Sequence, residues 1–239
     1  MAKQDTPIGS VDRKVEGAGP VIEKIVREVW DLAELSHEEV RSARLLMDVL
    51  EENGFATTSE GTAGVPTAFV AEWGSGSPTL GFLPEYDALP GLGNEAVPRK
   101  EPRKDGKTSG HGCGHNMLGA GLVGAAVALK EVMAEQKIPG TLRVYGCAAE
   151  ETEGAKVYMA REGLFSDLDA ALHWHPMSYA GMLNLRLAAM NHAAVEFFGK
   201  AAHAGMEPWN GRSAVHAAEL FTHGVNMMRE HVEPTARIH

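Results

Sequence analysis

Cysteine is nearly absent: the 239 residues hold two, Cys113 and Cys147. That is too few for a disulfide framework, and it suits a reducing compartment, with the cytoplasm as the expectation. Basic residues are also in short supply. Twenty-two Lys and Arg stand against thirty-two Asp and Glu, a formal net charge of -10, which opposes binding to phosphate backbones and anionic lipid and argues against a nucleic-acid partner. The longest apolar run, "MLGAGLVGAAVAL", falls short of the roughly 20 residues that a membrane span needs and suits a buried helix. The first twenty residues lack the apolar core of a signal peptide, and no internal repeat or low-complexity tract occurs. With 44% hydrophobic residues the chain can bury a full core, enough for one substantial domain and part of a second.

Apolar positions at helical spacing predict a first helix from Pro20 to about Ala33. "SHEEVRSARLLMDVLEENGF" predicts a second, with Ser36 as N-cap, Glu39 completing a capping box and Gly54 as the stop. "TAFVAEW" and "TLGFLP", separated by "GSGSP", read as neighbouring strands. Residues 86–112 form a long polar loop, of a length that is usually functional or disordered. A small-residue helix from about His115 to Gln136 follows, then the strand "TLRVYGCA", a helix from about Glu153 to Leu164 and the strand "DAALHWH". This alternation predicts an α/β domain with a mostly parallel sheet. Near residue 189 the texture changes, and "GMLNLRLAA", "AAVEFFGKAA" and "RSAVHAAELFTHGVNMMREHV" read as two strands and an amphipathic helix of a smaller α+β unit. The expected organisation is a flexible leader over 1–19, a catalytic α/β domain over 20–188 and a partial lid over 189–239.

In an open α/β sheet, ligands bind beyond the carboxyl ends of the strands. Three polar clusters fall there: Glu85 and Asp87, then Glu150 and Glu151, then His173 and His175. "GHGCGHNMLG" adds His111, Cys113 and His115 at a helix start, where free N–H groups favour a thiolate. Each has a plain structural reading. A Glu-Glu pair often begins a solvated helix, a lone Cys-x-His is mostly coincidence, the two histidines could face a polar pocket, and Cys147 suits core filling. Their conjunction points instead to a transition-metal site with an acidic catalytic group. One carboxylate would bind metal while its neighbour takes a proton from water, which implies amide hydrolysis.

The motifs "EYDALPGLG", "GHGCGHNMLG", "AAEETEGAK", "LHWHP" and "AAHAGMEPWNGRSA", in this order from about residue 20 to the end, resemble the aminoacylase/carboxypeptidase family of two-metal peptidases (the M20 peptidases), in its amidohydrolase branch. The resemblance implies that Cys113, His115, Glu151 and His175 ligate metal, with His173 the competitor of His175. It makes Glu150 the general base and His203 an oxyanion-stabilising histidine of a ferredoxin-like lid or dimerisation domain. Glu85 and Asp87 stand where other branches keep a His-x-Asp metal motif, and Asp87 is expected to orient ligands.

The cofactor implied is a divalent metal, two per complete site, zinc or manganese. The substrate implied is a small N-acyl amino acid or dipeptide-like amide such as p-aminobenzoyl-glutamate, and the partner a second copy through the lid or a separate subunit. The resemblance also implies a chain that ends within the lid, before the family's last histidine ligand. An inactive metal-binding or interaction protein is therefore the alternative, and a cysteine hydrolase using Cys113 with His115 or His111 a third reading.

Overall fold

The structure is a computed structural model that describes residues 7–182 and 188–239, which divide between two compact units, Met1–Ser178 and Tyr179–His239. In the first unit, part of the segment expected to be a leader is helical: α1 spans Pro7–Gly17 and packs on α4 (His115–Gln136). Helix α2, Gly19–Leu32, buries Ile25 and Val29 and ends where Ala33 turns left-handed at φ 43°.

Helix α3, Val40–Glu52, begins later than the capping-box reading requires. Its first turn is capped by Glu34, whose carboxylate accepts Arg41 N–H at 3.2 Å and Ser42 N–H at 2.8 Å. An acidic group at that position also suits the helix dipole. Ser36 and Glu39 are thereby released from capping, and both turn inward: Ser36 Oγ donates to Asp87, and Glu39 is fully buried.

The sheet has five strands, β1 (Ala56–Glu60), β2 (Phe69–Ser75), β3 (Thr79–Phe82), β4 (Gly140–Gly146) and β5 (Ala170–Leu172), in the order β1-β2-β4-β3-β5. It is mixed rather than mostly parallel. The pairs β1/β2 and β2/β4 are antiparallel, and β3/β4 and β3/β5 are parallel. The two strands read as neighbours are therefore not paired: β4 lies between β2 and β3. Strand β1 had no sequence signal, being short, polar and alternately exposed at an edge.

The chain leaves β3, crosses through α4 to β4 on one side, then returns past β3 through α5 (Ala155–Arg161) to β5 on the other. This reversal creates a crevice beyond the carboxyl ends of β3, β4 and β5. Hydrogen bonds continue the sheet past the strand ends, from Leu83 N–H to Leu172 O (3.3 Å) and from Cys147 N–H to Pro84 O (2.8 Å), so three ligand-bearing segments run side by side.

Residues 86–112 are ordered by what they cover. The last carbonyls of a helix lack intrahelical partners, and here the loop supplies donors to them. Arg103 reaches Trp30 O (3.0 Å) and Asp31 O (3.3 Å), Lys107 reaches Asp31 O and Leu32 O, and Ser109 Oγ reaches Ala33 O (2.6 Å). Helix α4 is long and apolar enough to cross a membrane, but most of it is buried in the core, where Leu118, Val123 and Ala126 are wholly covered.

In the second unit the helix expected near the end is present as α6, Ala214–Met228, with Ser213 as its N-cap. "GMLNLRLAA" falls largely on residues outside those described. "AAVEFFGKAA" forms no strand; its ladder is reduced to one bridge, Lys200 with Arg212. The Phe197 and Phe221 rings lie 5.7 Å apart.

Small residues let α4 approach the site. A β-carbon on Gly119 would lie 2.5 Å from the Glu85 carbonyl oxygen, a backbone atom that cannot swing away. Helix propensity alone favours Gly119→Ala by up to about 1 kcal/mol, whereas overpacking costs about 1–3 kcal/mol. Urea unfolding is expected to show net destabilisation; a stabilised variant would contradict this close approach.

Candidate metal centre

The donors converge around His115, the first residue of α4. Gly114 before it adopts φ 86°, and a β-carbon there would sit 2.9 Å from Pro176. This glycine lets the His175-Pro176 segment approach the helix start. Cys113 Sγ and His175 Nε2 are 3.3 Å apart, and ligand atoms of Cys113, His115 and His175 lie within 4.8 Å of one another. A second group, Glu85, His115 and Glu150, meets the same criterion and shares His115.

The orientation of His115 follows from Asp87. Asp87 Oδ1 accepts the Nδ1 proton at 2.9 Å, because a carboxylate can only accept. In the neutral ring Nε2 then presents its lone pair, and in the protonated ring a second N–H. It is buried and makes no hydrogen bond, and it faces Glu85 Oε2 at 3.0 Å, Glu150 Oε2 at 3.7 Å and Glu151 Oε1 at 3.9 Å. Glu151 Oε1 is likewise buried without a hydrogen-bond partner. A lone pair among carboxylate oxygens is repulsive unless a cation or a proton lies between them. Burial opposes protonation of His115, but Asp87, Glu85 and Glu151 outweigh it and raise its pKa.

Asp87 is almost wholly buried. Burial pushes its pKa up, but the bonds from His115, Glu151 N–H and Ser36 outweigh this and hold the carboxyl below its usual value. Glu150 is raised, by burial first and then by Glu85. Glu85 pairs with the Lys156 ammonium, the basic group set into this acidic cluster, and His173 Nε2 lies 3.7 Å from the same Glu85 oxygen. His173 thus sits beside Glu85, while His175 sits with Cys113 and His115.

The thiolate expected at the helix start is not favoured by these neighbours. Burial, followed by the carboxylates of Glu151, Glu150 and Glu85, pushes the Cys113 thiol up to about 12. That suits a cysteine that ionises on a cation rather than a free nucleophile. Cys147 is buried, donates to Tyr145 O at 3.2 Å and is also pushed up to about 12, as core filling requires. His203 belongs to the second unit, where its Nδ1 accepts Gly205 N–H at 3.1 Å.

Two contributors lay within the quoted motifs but were assigned no role. Lys156 lies beyond the Glu-Glu motif, on α5. Trp174 alternates with the two histidines and donates its indole N–H to Leu118 O at 3.2 Å, fastening their segment to α4.

Residues 82–236 match the profile described as "Peptidase family M20/M25/M40". The chain is 42% identical over 229 residues to one of the subunits of the p-aminobenzoyl-glutamate hydrolase of Escherichia coli (strain K12), an alignment covering 96% of this chain and 47% of that protein. Another subunit of the same hydrolase is 26% identical over 278 residues, covering 96% and 63%. The Xaa-Arg dipeptidase of Homo sapiens is 32% identical over 242 residues, covering 94% and 51%. A solved structure from methicillin resistant Staphylococcus aureus shares the fold at TM-score 0.55 and 19% identity, covering 92% of this chain and 60% of that one. The chain spans about half the length of these two curated relatives, the E. coli subunit at 42% identity and the human dipeptidase.

His111, beside the cluster, gives a test of the buried electrostatics. Its Nε2–H donates to Val29 O at 2.9 Å, and burial lowers its pKa from 6.5 to about 4. Because the folded pKa is depressed, the unfolded chain takes up the proton first. Stability is complete above about pH 6.5 and falls as pH drops toward 4, by about 3 kcal/mol at one pKa unit per 1.36 kcal/mol. Urea unfolding between pH 7 and 4 should show the wild type losing stability relative to His111→Gln. A difference that does not change with pH would contradict a neutral, buried His111.

Proposed function

The chain belongs to peptidase family M20/M25/M40, and on that premise we propose that it is the metal-binding part of an amidohydrolase. Its substrates are small N-acyl amino acids or dipeptide-like amides such as p-aminobenzoyl-glutamate, the compound in the name of the E. coli relative. The observation that carries the reading is His115 Nε2, a buried ring nitrogen turned toward three carboxylates without a hydrogen bond. A divalent cation held there would take the place of the proton that those carboxylates favour on the ring.

The donors fit such an ion. Cys113, His115, Glu151 and His175 would hold it, and a complete site would take two. Thiolate and imidazole suit zinc, and the carboxylates admit manganese. When bound, the metal supplies Lewis acidity for the amide carbonyl and lowers the pKa of the attacking water. Asp87 keeps the His115 Nδ1 proton and so leaves Nε2 free for the ion. Glu150, whose pKa burial raises, accepts the water proton on its carboxylate and later delivers it to the leaving nitrogen. His203 would act across an interface, on the developing oxyanion of a second copy. The E. coli hydrolase is named by more than one subunit, which equally supports a different chain as the partner.

Elemental analysis of the purified chain should find at least one zinc or manganese per chain, lost in a Cys113→Ser, His115→Ala double variant. A metal-free wild type prepared with metal present would contradict the site and favour a protein of interaction alone. Glu150→Gln should keep its metal while p-aminobenzoyl-glutamate hydrolysis falls by about 10²–10⁴-fold, the range for loss of a general base. Equal loss of metal and turnover would remove the division of roles between Glu150 and Glu151.

A further inference from the structure

The turn that carries Glu150 and Glu151 is tight and strained. Ala149 is buried at φ 54°, a left-handed conformation that a β-carbon disfavours. Its carbonyl accepts Gly154 N–H at 2.7 Å and Thr152 N–H at 3.3 Å. A buried carboxylate grips each flank of this turn. On one, Asp87 Oδ2 accepts Glu151 N–H at 2.9 Å. On the other, Glu39 Oε1 accepts Ala149 N–H at 2.7 Å.

Glu39 reaches this amide from the start of α3. Its second oxygen accepts the Thr67 hydroxyl at 2.8 Å, and the Thr67 carbonyl accepts the Tyr86 phenol at 2.7 Å. Tyr86 stands between Glu85 and Asp87, so the network ties the β3 end to the β4 end. Glu39 is wholly buried, and both oxygens are taken by neutral donors. Burying a carboxylate is costly even with donors present. Capping does not account for it, since Glu34 caps α3. An apolar side chain would avoid that cost but would leave the Ala149 N–H and the Thr67 hydroxyl without their acceptor.

We propose that Glu39 is a positioning residue for the metal centre: by anchoring Ala149 N–H it aims Glu150 and Glu151 at the His115 cluster, an inference that rests on the hydrolase reading above. Glu39 touches neither metal nor substrate. It acts through the backbone of the turn, whereas Asp87 acts on the turn and on His115 together.

The test compares Glu39→Leu, which removes both acceptors, with Glu39→Gln, which keeps an acceptor for Ala149 N–H. In the 239-residue protein, calorimetric titration with Zn²⁺ should show an affinity about 10–100-fold lower for Glu39→Leu, the usual consequence of losing a residue that orients ligands. The Gln variant should lie close to wild type. The kcat for p-aminobenzoyl-glutamate should fall in the Leu variant and recover in the Gln variant, and hydrogen exchange should quicken in the peptide spanning 147–152. A lower melting temperature with unchanged zinc affinity and exchange in that peptide would overturn the proposal. Should Glu39→Leu fail to fold, Glu39→Asp, whose shorter side chain draws the carboxylate back from Ala149 N–H, decides in its place: weakened zinc binding with faster exchange in 147–152 supports the proposal, and wild-type affinity and exchange overturn it. If the wild type neither binds zinc nor hydrolyses the amide, the hydrolase reading fails by itself. Exchange confined to 147–152 then still decides whether Glu39 positions the turn.

Discussion

The carboxylate of Asp87 is the constraint on which the centre depends. It is buried, and it holds three segments far apart in the sequence: the Ser36 hydroxyl, the His115 Nδ1–H and the Glu151 amide. An ionised carboxylate out of water is tolerated only when its lone pairs are filled. Here they are filled by groups that the site itself uses. The arrangement dictates which imidazole nitrogen of His115 faces the crevice and fixes the height of the turn bearing Glu151. The result is an acidic pocket whose balancing positive charges are Lys156 and the proton or cation at His115. A cation in place of that proton would link the fold to the chemistry proposed.

Sheet topology places this constraint. Because β3 is paired in parallel with β4 on one side and β5 on the other, the chain segments after all three strands leave in the same direction. The glycines at 114 and 119 then let α4 present His115 at close range. Neither the order of the strands nor the close approach is a local property of the chain.

That difference explains what could be read beforehand. Helix α4 was legible to its ends because a run of small apolar residues needs only burial, and the polar residues at strand ends were legible because parallel strands put them in one crevice. The neighbouring-strand reading failed because β4, distant in sequence, inserts between β2 and β3. The capping box failed more instructively: the pattern Ser36-x-x-Glu39 is present, but Glu34 satisfies the helix start, and tertiary donors and acceptors claim both residues for the site. A local motif was a true signal of importance with the wrong partner. Lys156 and Trp174 stood within quoted motifs, but their roles were not legible because these come from facing segments rather than from spacing.

X-ray absorption at the zinc edge of the zinc-loaded chain tests the central claim most directly, because it reads donor identity without relying on turnover. The expected shell has one sulfur from Cys113 at about 2.3 Å and nitrogen or oxygen donors at about 2.0–2.2 Å, with imidazole scattering from His115 and His175. A shell of oxygen and nitrogen alone, unchanged in Cys113→Ser, would contradict it.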